Sequence, residues 1–422
     1  MHELVIENRI NNDRKTKFGF ILTILYLVIE YGRPMDIIPG LGSIRPAMIL
    51  SILLVVTWII NGNISKAKSK QTTMMVIFIL LLSLYIPFAR NNYFAFKQTL
   101  GVLLYMPFFV SAIMYINSFK RLRTFINVWI LLMIYLSVMG ILNKGIGGSN
   151  FLQDENDFSL LMNMMFPFVF FLFMYEKSIK KKLVYLTVSI LAIVSIVISF
   201  SRGGFVTLLA VLLIIWLFSP KKILSLIIIG ILAVAVNYSA DQKYWASIST
   251  IEKTEEGTAK ERLDSWKAAW DMFKDNPLGV GGGNFPVRFP DYQPESMKRG
   301  MWGRAAHSIW FTLISELGIP GILVYSFLLF YNLRDINWLR KFKENQDADI
   351  RYAYYLSLAF IASFTGYFTS GTFLSVLYYP HYFYLTAIIV SIKKMSDSKL
   401  ACDPCLYDNS AGTDILMDTP NI

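Results

Sequence analysis

Runs of some twenty apolar residues, separated by short segments that collect lysine and arginine, limit the fold of this chain more than any other feature. A helix needs about 20 predominantly apolar residues to cross the hydrocarbon of a bilayer. Such windows, the eighth of them short, fall at 18–32, 46–60, 72–89, 98–116, 124–142, 158–175, 183–200, 204–218, 222–238, 306–331, 352–370 and 374–392. Of the 422 residues 55% are hydrophobic and only 16% charged, where soluble domains carry about a quarter. The expected fold class is all-α: a polytopic membrane helix bundle of about twelve transmembrane helices, covering 1–395. The polar segment 1–17 leads into the run from Phe18 without a small-residue cleavage site. That run reads as a first membrane helix and signal anchor.

The net charge of +11 invites a nucleic-acid partner, but its placement argues for a different cause. With the N-terminus inside, the inner segments are 1–17, 61–71, 117–123, 176–182, 219–221, 332–351 and the tail. They hold "KAKSK", "FKRLR", "KSIKKK", "PKK" and "RKFK", whereas the short outer loops hold only Arg33, Arg45, Arg90, Lys97, Lys144 and Arg202. Basic residues stay on the cytoplasmic side of a membrane. Dropping the short eighth span would put "RKFK" outside. Both termini are therefore expected in the cytoplasm, in the cytoplasmic (inner) membrane. The positive charge reports contact with an anionic inner leaflet, and no nucleic acid is needed to explain it. One external segment, 239–305, is far longer than the rest, and long loops translocate regardless of charge. Residues 396–422 are polar and aperiodic and are expected to form a disordered cytoplasmic tail. The lone CxxC of Cys402 and Cys405 lies there, with no second pair to complete a metal or redox frame.

Chemistry concentrates at the expected outer face. In "ISFSRGGFVTLL", 198–209, Arg202 stands between the seventh and eighth spans. Gly203 and Gly204 are expected to allow a tight turn through positive φ. The arginine either snorkels to headgroups or faces a ligand. In the long loop, 259–275 reads as an amphipathic helix with Leu263, Trp266, Trp270 and Phe273 on one stripe. That stripe suits either the membrane interface or the loop's own core. Arg262, one turn before Trp266, is placed to sit over the indole. Glu261 and Asp264 read as ion-pair partners on a solvated helix.

The segment "NPLGVGGGNF", 276–285, follows. Its Gly281, Gly282 and Gly283, with Gly279, either gather N–H groups into a nest for phosphate oxygens or make a plain turn. No GK[ST] and no dinucleotide frame accompanies them. In "RAAHSIWFTLISELGIPG", His307 sits at the outer mouth of the tenth span. Glu316 lies nine residues on, ~13.5 Å deeper on a helix. A carboxyl at that depth needs a partner, expected on a neighbouring helix. His381 falls in the twelfth span.

Arginine holds diphosphate by bidentate charged bonds, histidine takes a proton near neutral pH, and the bundle wall accepts a lipid tail. The set suits a lipid diphosphate whose carried group is attacked by a hydroxyl that histidine deprotonates. No His/Asp/Glu cluster in the loop has metal-ligand spacing, so neither a metal nor another cofactor is expected.

The stretches "NDFSLLMN", "FSRGG", "ERLDSWKAAWDMFKDNPLGVGGGNF" and "HSIWFTLISELGIPG", in that order, resemble the O-antigen ligase and O-antigen polymerase (Wzy-type) superfamily of bacterial polysaccharide membrane proteins. The resemblance covers residues ~156 to 321. It implies a twelve-helix fold and transfer of a glycan from undecaprenyl diphosphate to a glycan, lipid or protein hydroxyl at the outer face. It implies Arg202, Arg262 and His307 as catalytic residues; the candidate substrate-binding residues are Arg202, Arg262, Trp266 and the three adjacent glycines, Gly281, Gly282 and Gly283. Membrane lipids and other polysaccharide assembly proteins are the implied neighbours. Family ligases often carry a late acidic residue near the outer face; "TSGTFLSVLYYPHYFY" has none, and His381 is a substitute to test. Two other classes compete. A flippase or other multi-span transporter would place its polar site at mid-membrane on broken helices. A non-enzymatic scaffold would tolerate loss of the arginines and the histidine.

Overall fold

The computed structural model describes residues 2–61, 64–147, 152, 154–239, 242, 245, 258–295 and 303–402. Regular structure among them is helical throughout. The longer helices are α1 (His2–Gly32), α2 (Pro46–Asn61), α3 (Lys70–Tyr85), α4 (Asn92–Leu103), α5 (Met106–Tyr115), α6 (Phe119–Leu142) and α7 (Glu155–Tyr175). They continue with α8 (Ile179–Ile198), α9 (Arg202–Phe218), α10 (Lys222–Ser239), α11 (Thr258–Asp275), α12 (Ile309–Arg340), α13 (Ala348–Gly371) and α14 (Pro380–Cys402). Among the described residues, six helical segments are long and apolar enough to cross a membrane: Leu41–Asn61, Asn92–Tyr115, Phe119–Leu142, Glu155–Tyr175, Ile179–Ile198 and Ile309–Arg340. Ile52, Ile59, Leu80, Leu84 and Ile223 lie exposed on the outside of the bundle, as side chains do whose solvent is lipid.

Every expected apolar window contains helix, but proline moves several boundaries. The 98–116 window is two helices, α4 and α5, because Pro107 at the start of α5 lacks the N–H that would continue α4. The 72–89 window stops at Tyr85, two residues before Pro87. The 374–392 window opens with an irregular stretch, and α14 starts only at Pro380. The expected tail is shorter than 396–422. Helix α14 runs to Cys402, with Ser396 and Leu400 buried and Lys399 bridging Asp347 and Asp349 at 2.8 and 2.6 Å. The remainder of the tail, Cys405 included, lies outside the described residues, as does much of the expected loop 239–305.

Helix α7 is the axis of the bundle. Every residue from Phe158 to Leu172 is buried, the pattern of a helix that is apolar all round. It packs against α13, α8, α9 and α6. Helix α1 lies on α2, α5 and α6; α12 lies on α3, α13, α14 and α11. Close approach depends on glycine at a few points. A Cβ on Gly140 of α6 would fall 2.2 Å from the ring of buried Phe158.

The segments expected on the inner side meet at one end. Arg123 pairs with Asp349 (2.6 Å) and Lys394 donates to the carbonyls of Lys66 and Lys68 (2.5 and 2.9 Å). The residues singled out for chemistry gather at the other end, described below. Gly140→Ala is expected to lower the unfolding midpoint in detergent, by about 1–3 kcal/mol of overpacking. Gly101→Ala, where an added Cβ meets nothing within 4 Å, is expected to be neutral or mildly stabilising. Equal midpoints for the two variants would contradict the α6–α7 contact.

Candidate active site

The turn before α9 is built from serines. Helix α8 ends at Ile198, and Ser201 caps α9 by accepting from Gly204 N (2.9 Å) while donating to Asn156 Oδ1 (2.7 Å). The left-handed residue of the turn is Phe200, at φ 54, so the expected role of Gly203 and Gly204 is corrected. Both glycines belong to the first turn of α9. Gly204 is small because a Cβ there would meet Ser159 Oγ at 2.5 Å, which seats α9 against α7. Arg202 is therefore the first residue of a helix. That places a cation at the positive end of the helix dipole, unfavourable unless an anion sits close by.

Helix α11 brings Arg262 to the same place. A narrow cleft is lined by Asn156, Ser201, Gly203, Gly204, Arg262, Ser370, Phe373 and Leu374. It encloses about 20 Å³, room for about one water, so a larger group enters only if a wall moves. The guanidinium of Arg262 makes no hydrogen bond or ion pair among the described residues. Burial, and then the charges of Arg202 and Arg304, push its pKa down, offset in part by Asp154. An arginine keeps its proton regardless, so the perturbation reports the burial of a charge first and like-charge repulsion second. Arg304, 14% exposed, pairs with Glu261.

His307 shares this field. Burial lowers its pKa first, then Arg304 and Arg262, while Asp154 and Glu261 act the other way. The ring is half-buried and makes no hydrogen bond among the described residues. Its backbone stands at φ 48, a strained region for a residue with a side chain. The N–H is held there by Ser375 Oγ at 2.9 Å. Trp266 fixes the same segment, donating Nε1 to Ala306 O at 3.1 Å. The Trp266 face is stacked on Phe311 (5.2 Å, 13°), so the expected arginine over its indole is absent among the described residues. The α11 stripe does not form the loop's core either. Ala268, Ala269 and Met272 do that, with Val280, Phe285, Phe289 and Ala306, and Leu263 and Trp270 stay 49% exposed.

The glycine loop and Glu316 solve one backbone problem together. Pro320 cannot donate to the carbonyl of residue 316, and α12 breaks at Gly318 (φ 58, ψ −154). The carbonyls this frees are those of Ser315 and Glu316. Val280 N and Gly281 N take them at 3.0 and 2.8 Å, and Ile319 N turns to Pro277 O at 2.9 Å. The backbones approach so closely that a Cβ on Gly318 would lie 2.3 Å from Pro277 O. The Glu316 carboxylate, 2% exposed, then accepts from Gly283 N (2.7 Å), Phe285 N (3.0 Å) and Tyr378 OH (2.6 Å). The N–H groups of Gly281 and Gly283 thus serve the chain's own oxygens, and the expected open phosphate nest is not formed. Gly282 packs near Leu82 and Tyr378, and Gly283 lines a separate cavity of about 580 Å³ with Phe94, Lys97 and Gln98. The partner of Glu316 is a loop and a tyrosine rather than a neighbouring helix.

His381 does not join His307. It is buried, with Nδ1 2.8 Å from Tyr31 OH and its ring against Tyr31 and Tyr379. The acids near the site come from earlier in the chain. Asp154 caps α7, and Asp157 accepts from Tyr379 OH at 2.9 Å. Arg304, Asp154, Asp157 and Ser375 were not among the expected site residues. The signal for Asp154 was present as a helix-capping aspartate ahead of the apolar run in "DENDF".

Residues 187–326, about a third of the 422-residue chain, match the family described as O-antigen ligase. The match supports the O-antigen ligase and polymerase superfamily, and it contains Arg202, Arg262, Arg304, His307, the glycine loop and Glu316. No curated protein matches the chain.

Glu316→Ala leaves two buried N–H groups and the Tyr378 hydroxyl without an acceptor, at about 1–3 kcal/mol each. Amide exchange at 279–285 is expected to rise at least about tenfold while α7 stays protected. Unchanged exchange in the loop would mean that the carboxylate does not hold it.

Proposed function

We propose that the protein is a membrane glycosyltransferase of the O-antigen ligase or polymerase type. It transfers a glycan en bloc from undecaprenyl diphosphate to a hydroxyl acceptor at the outer face of the cytoplasmic membrane. In this reading the apolar windows make twelve passes, both termini are cytoplasmic, and the cleft at the start of α9 faces outward. The family match at 187–326 supports the class of reaction. The observation that carries the reading is electrostatic. Arg262, unpaired among the described residues, stands in the field of Arg202 and Arg304 at a cleft that His307 also senses.

Each group has one task. The diphosphate lies against Arg262, Arg202 and the N–H groups at the start of α9, where dipole and guanidinium both favour an anion. The acceptor oxygen attacks the anomeric carbon of the glycan. Its proton passes to the imidazole of His307, which is neutral and unprotonated at neutral pH because its pKa is depressed. The bond from the anomeric carbon to the diphosphate oxygen breaks, and its electron pair leaves with the lipid diphosphate, whose charge the arginines hold. Trp266 and Ser375 position the His307 segment. A transporter reading has less support, because these groups lie at one end of the bundle, away from its middle.

His307→Ala is expected to lower transfer about 10²–10⁴-fold, and Arg262→Ala about 10²–10³-fold, with membrane insertion unchanged. The measurement is glycan transfer by the purified proteins from a polyprenyl-diphosphate donor. Full activity in both variants would refute the mechanism.

The pH profile gives a separate check. A base with a depressed pKa puts the acid limb of the rate below the ordinary histidine value of 6.5. Arg304→Gln removes a cation that depresses His307 and frees Glu261, which raises it. Both changes move the acid limb to higher pH. A limb that stays in place would remove His307 as the titrating group.

A further inference from the structure

We propose that the end of the bundle opposite the cleft holds a binding site for an anionic phospholipid. A cavity of about 770 Å³ opens there, within the range of built ligand pockets. Its wall carries Lys66, Lys120, Arg123, Lys394 and Lys399 against one acid, Asp349. That acid is already taken, by Arg123 at 2.6 Å and Lys399 at 2.6 Å. Among the described residues, Lys394 has only the carbonyls of Lys66 and Lys68 for partners, and burial pushes its pKa down with no acid there to offset it. Lys66 and Lys120 are exposed at the rim. The cavity therefore has more cationic groups than anions of its own.

Its floor has the opposite character. Ile113, Met114, Ile116, Phe119 and Met395 line it. Ser118 caps α6 at the same place through its hydroxyl, and the start of that helix adds positive dipole. A ring of ammonium and guanidinium groups over an apolar floor fits a phosphodiester headgroup with acyl chains attached. A free phosphate would use the rim and leave the floor bare. Basic pockets between membrane helices take anionic headgroups for this reason. The position also matters for the fold. The lining comes from α5, α6, α13, α14 and the turn before α3, so a lipid bound there would touch all of these segments at once.

The test uses the full chain purified in a neutral detergent, with native mass spectrometry and thermal shift as readouts. Phosphatidylglycerol is compared with phosphatidylcholine of the same acyl chains and with glycerol 3-phosphate. We expect phosphatidylglycerol to be retained and stabilising, phosphatidylcholine not, and glycerol 3-phosphate at most weakly. Lys66→Gln with Lys120→Gln is expected to weaken retention at least about tenfold. Lys177→Gln with Lys180→Gln, two exposed lysines at the same end but outside the cavity, is expected to leave it unchanged. Equal retention of the two lipids, or an equal loss in the two double variants, would overturn a specific site. Stabilisation by glycerol 3-phosphate alone would make it a soluble-anion site. Binding seen only after truncation behind Cys402 would mean that the cavity belongs to the chain's own acidic end, with Asp403, Asp408, Asp414 and Asp418. Each of these last two results also overturns the proposal.

Discussion

Backbone carbonyls cannot be left unpaired inside an apolar bundle, and α12 breaks where two of them would be. Pro320 and Gly318 interrupt the helix, and the freed carbonyls of Ser315 and Glu316 are taken by Val280 and Gly281. The loop that supplies these donors must pass within backbone contact of the break, which is why glycines stand at 279, 281 and 318 with positive φ. The Glu316 side chain then binds the amides of Gly283 and Phe285 and the hydroxyl of Tyr378. A helix break thereby anchors the segment after α11, and Asn284 and Arg90 hold its far end through Asn91 and Asp291. With both ends of that segment fixed, α11 has one position, and Arg262 is carried to the cleft.

The cations at the cleft have a cost that the rest of the fold absorbs. Arg202 begins a helix, where its charge opposes the dipole. Arg262 lies partly buried near two other guanidinium groups. His307 and the residue before Ser201 both adopt left-handed backbone, Phe200 at φ 54 and His307 at φ 48, each strained by about 1–3 kcal/mol. Such features survive where the surroundings over-determine them. Here Ser375, the Trp266–Phe311 stack and the Ser201 cap do so. Strain and like charge collected in one cleft are poor devices for stability and good ones for meeting an anion.

The sequence made the helices legible because lipid demands long apolar runs, and those runs survive any error in register. It also singled out Arg202 and His307, polar residues left at the ends of such runs, and Arg262, in the amphipathic stretch of the long loop, as candidates. It misled where one pattern has two physical uses. Adjacent glycines suit either a nest for a ligand's phosphate or a plain turn; here they do gather N–H groups, but around the oxygens of Ser315 and Glu316, which belong to the chain itself. Gly203 and Gly204 looked like a turn, yet α9 uses them as small residues in a helix, and Phe200 takes the unusual φ. The aromatic stripe of α11 suited either the membrane interface or the loop's own core, whereas Ala268, Ala269 and Met272 pack inward with Phe285 and Phe289. The closeness of Asp154 and Arg304 to the site was hidden for another reason, although Asp154 could be read as a helix cap. Their part depends on which distant segments meet, and α7, α11 and the 304–307 stretch are brought together only by packing.

Helix α13 measures how far the cleft lies from the basic cavity. Asp349 and Ser370 line one each, and 21 residues of α helix between them span roughly 32 Å. That is about the thickness of a bilayer's hydrocarbon. Both charged regions therefore sit at headgroup level when the bundle spans a membrane, with the apolar core of α7 and α13 between them. A lipid diphosphate keeps its phosphates at that level and its chain in the hydrocarbon. In the proposed reading, a cleft at the end of α13 would meet such a substrate without moving its charge toward the bilayer centre, where each charge costs several kcal/mol. Carrying the same diphosphate across would require polar groups along the path between the two ends. From Phe158 to Leu172, α7 offers only Ser159 and Asn163, both at the end nearest the cleft and both already bonded to backbone carbonyls. In the proposed reading the chemistry stays at that end, and α7 adds no polar group along the rest of its buried length.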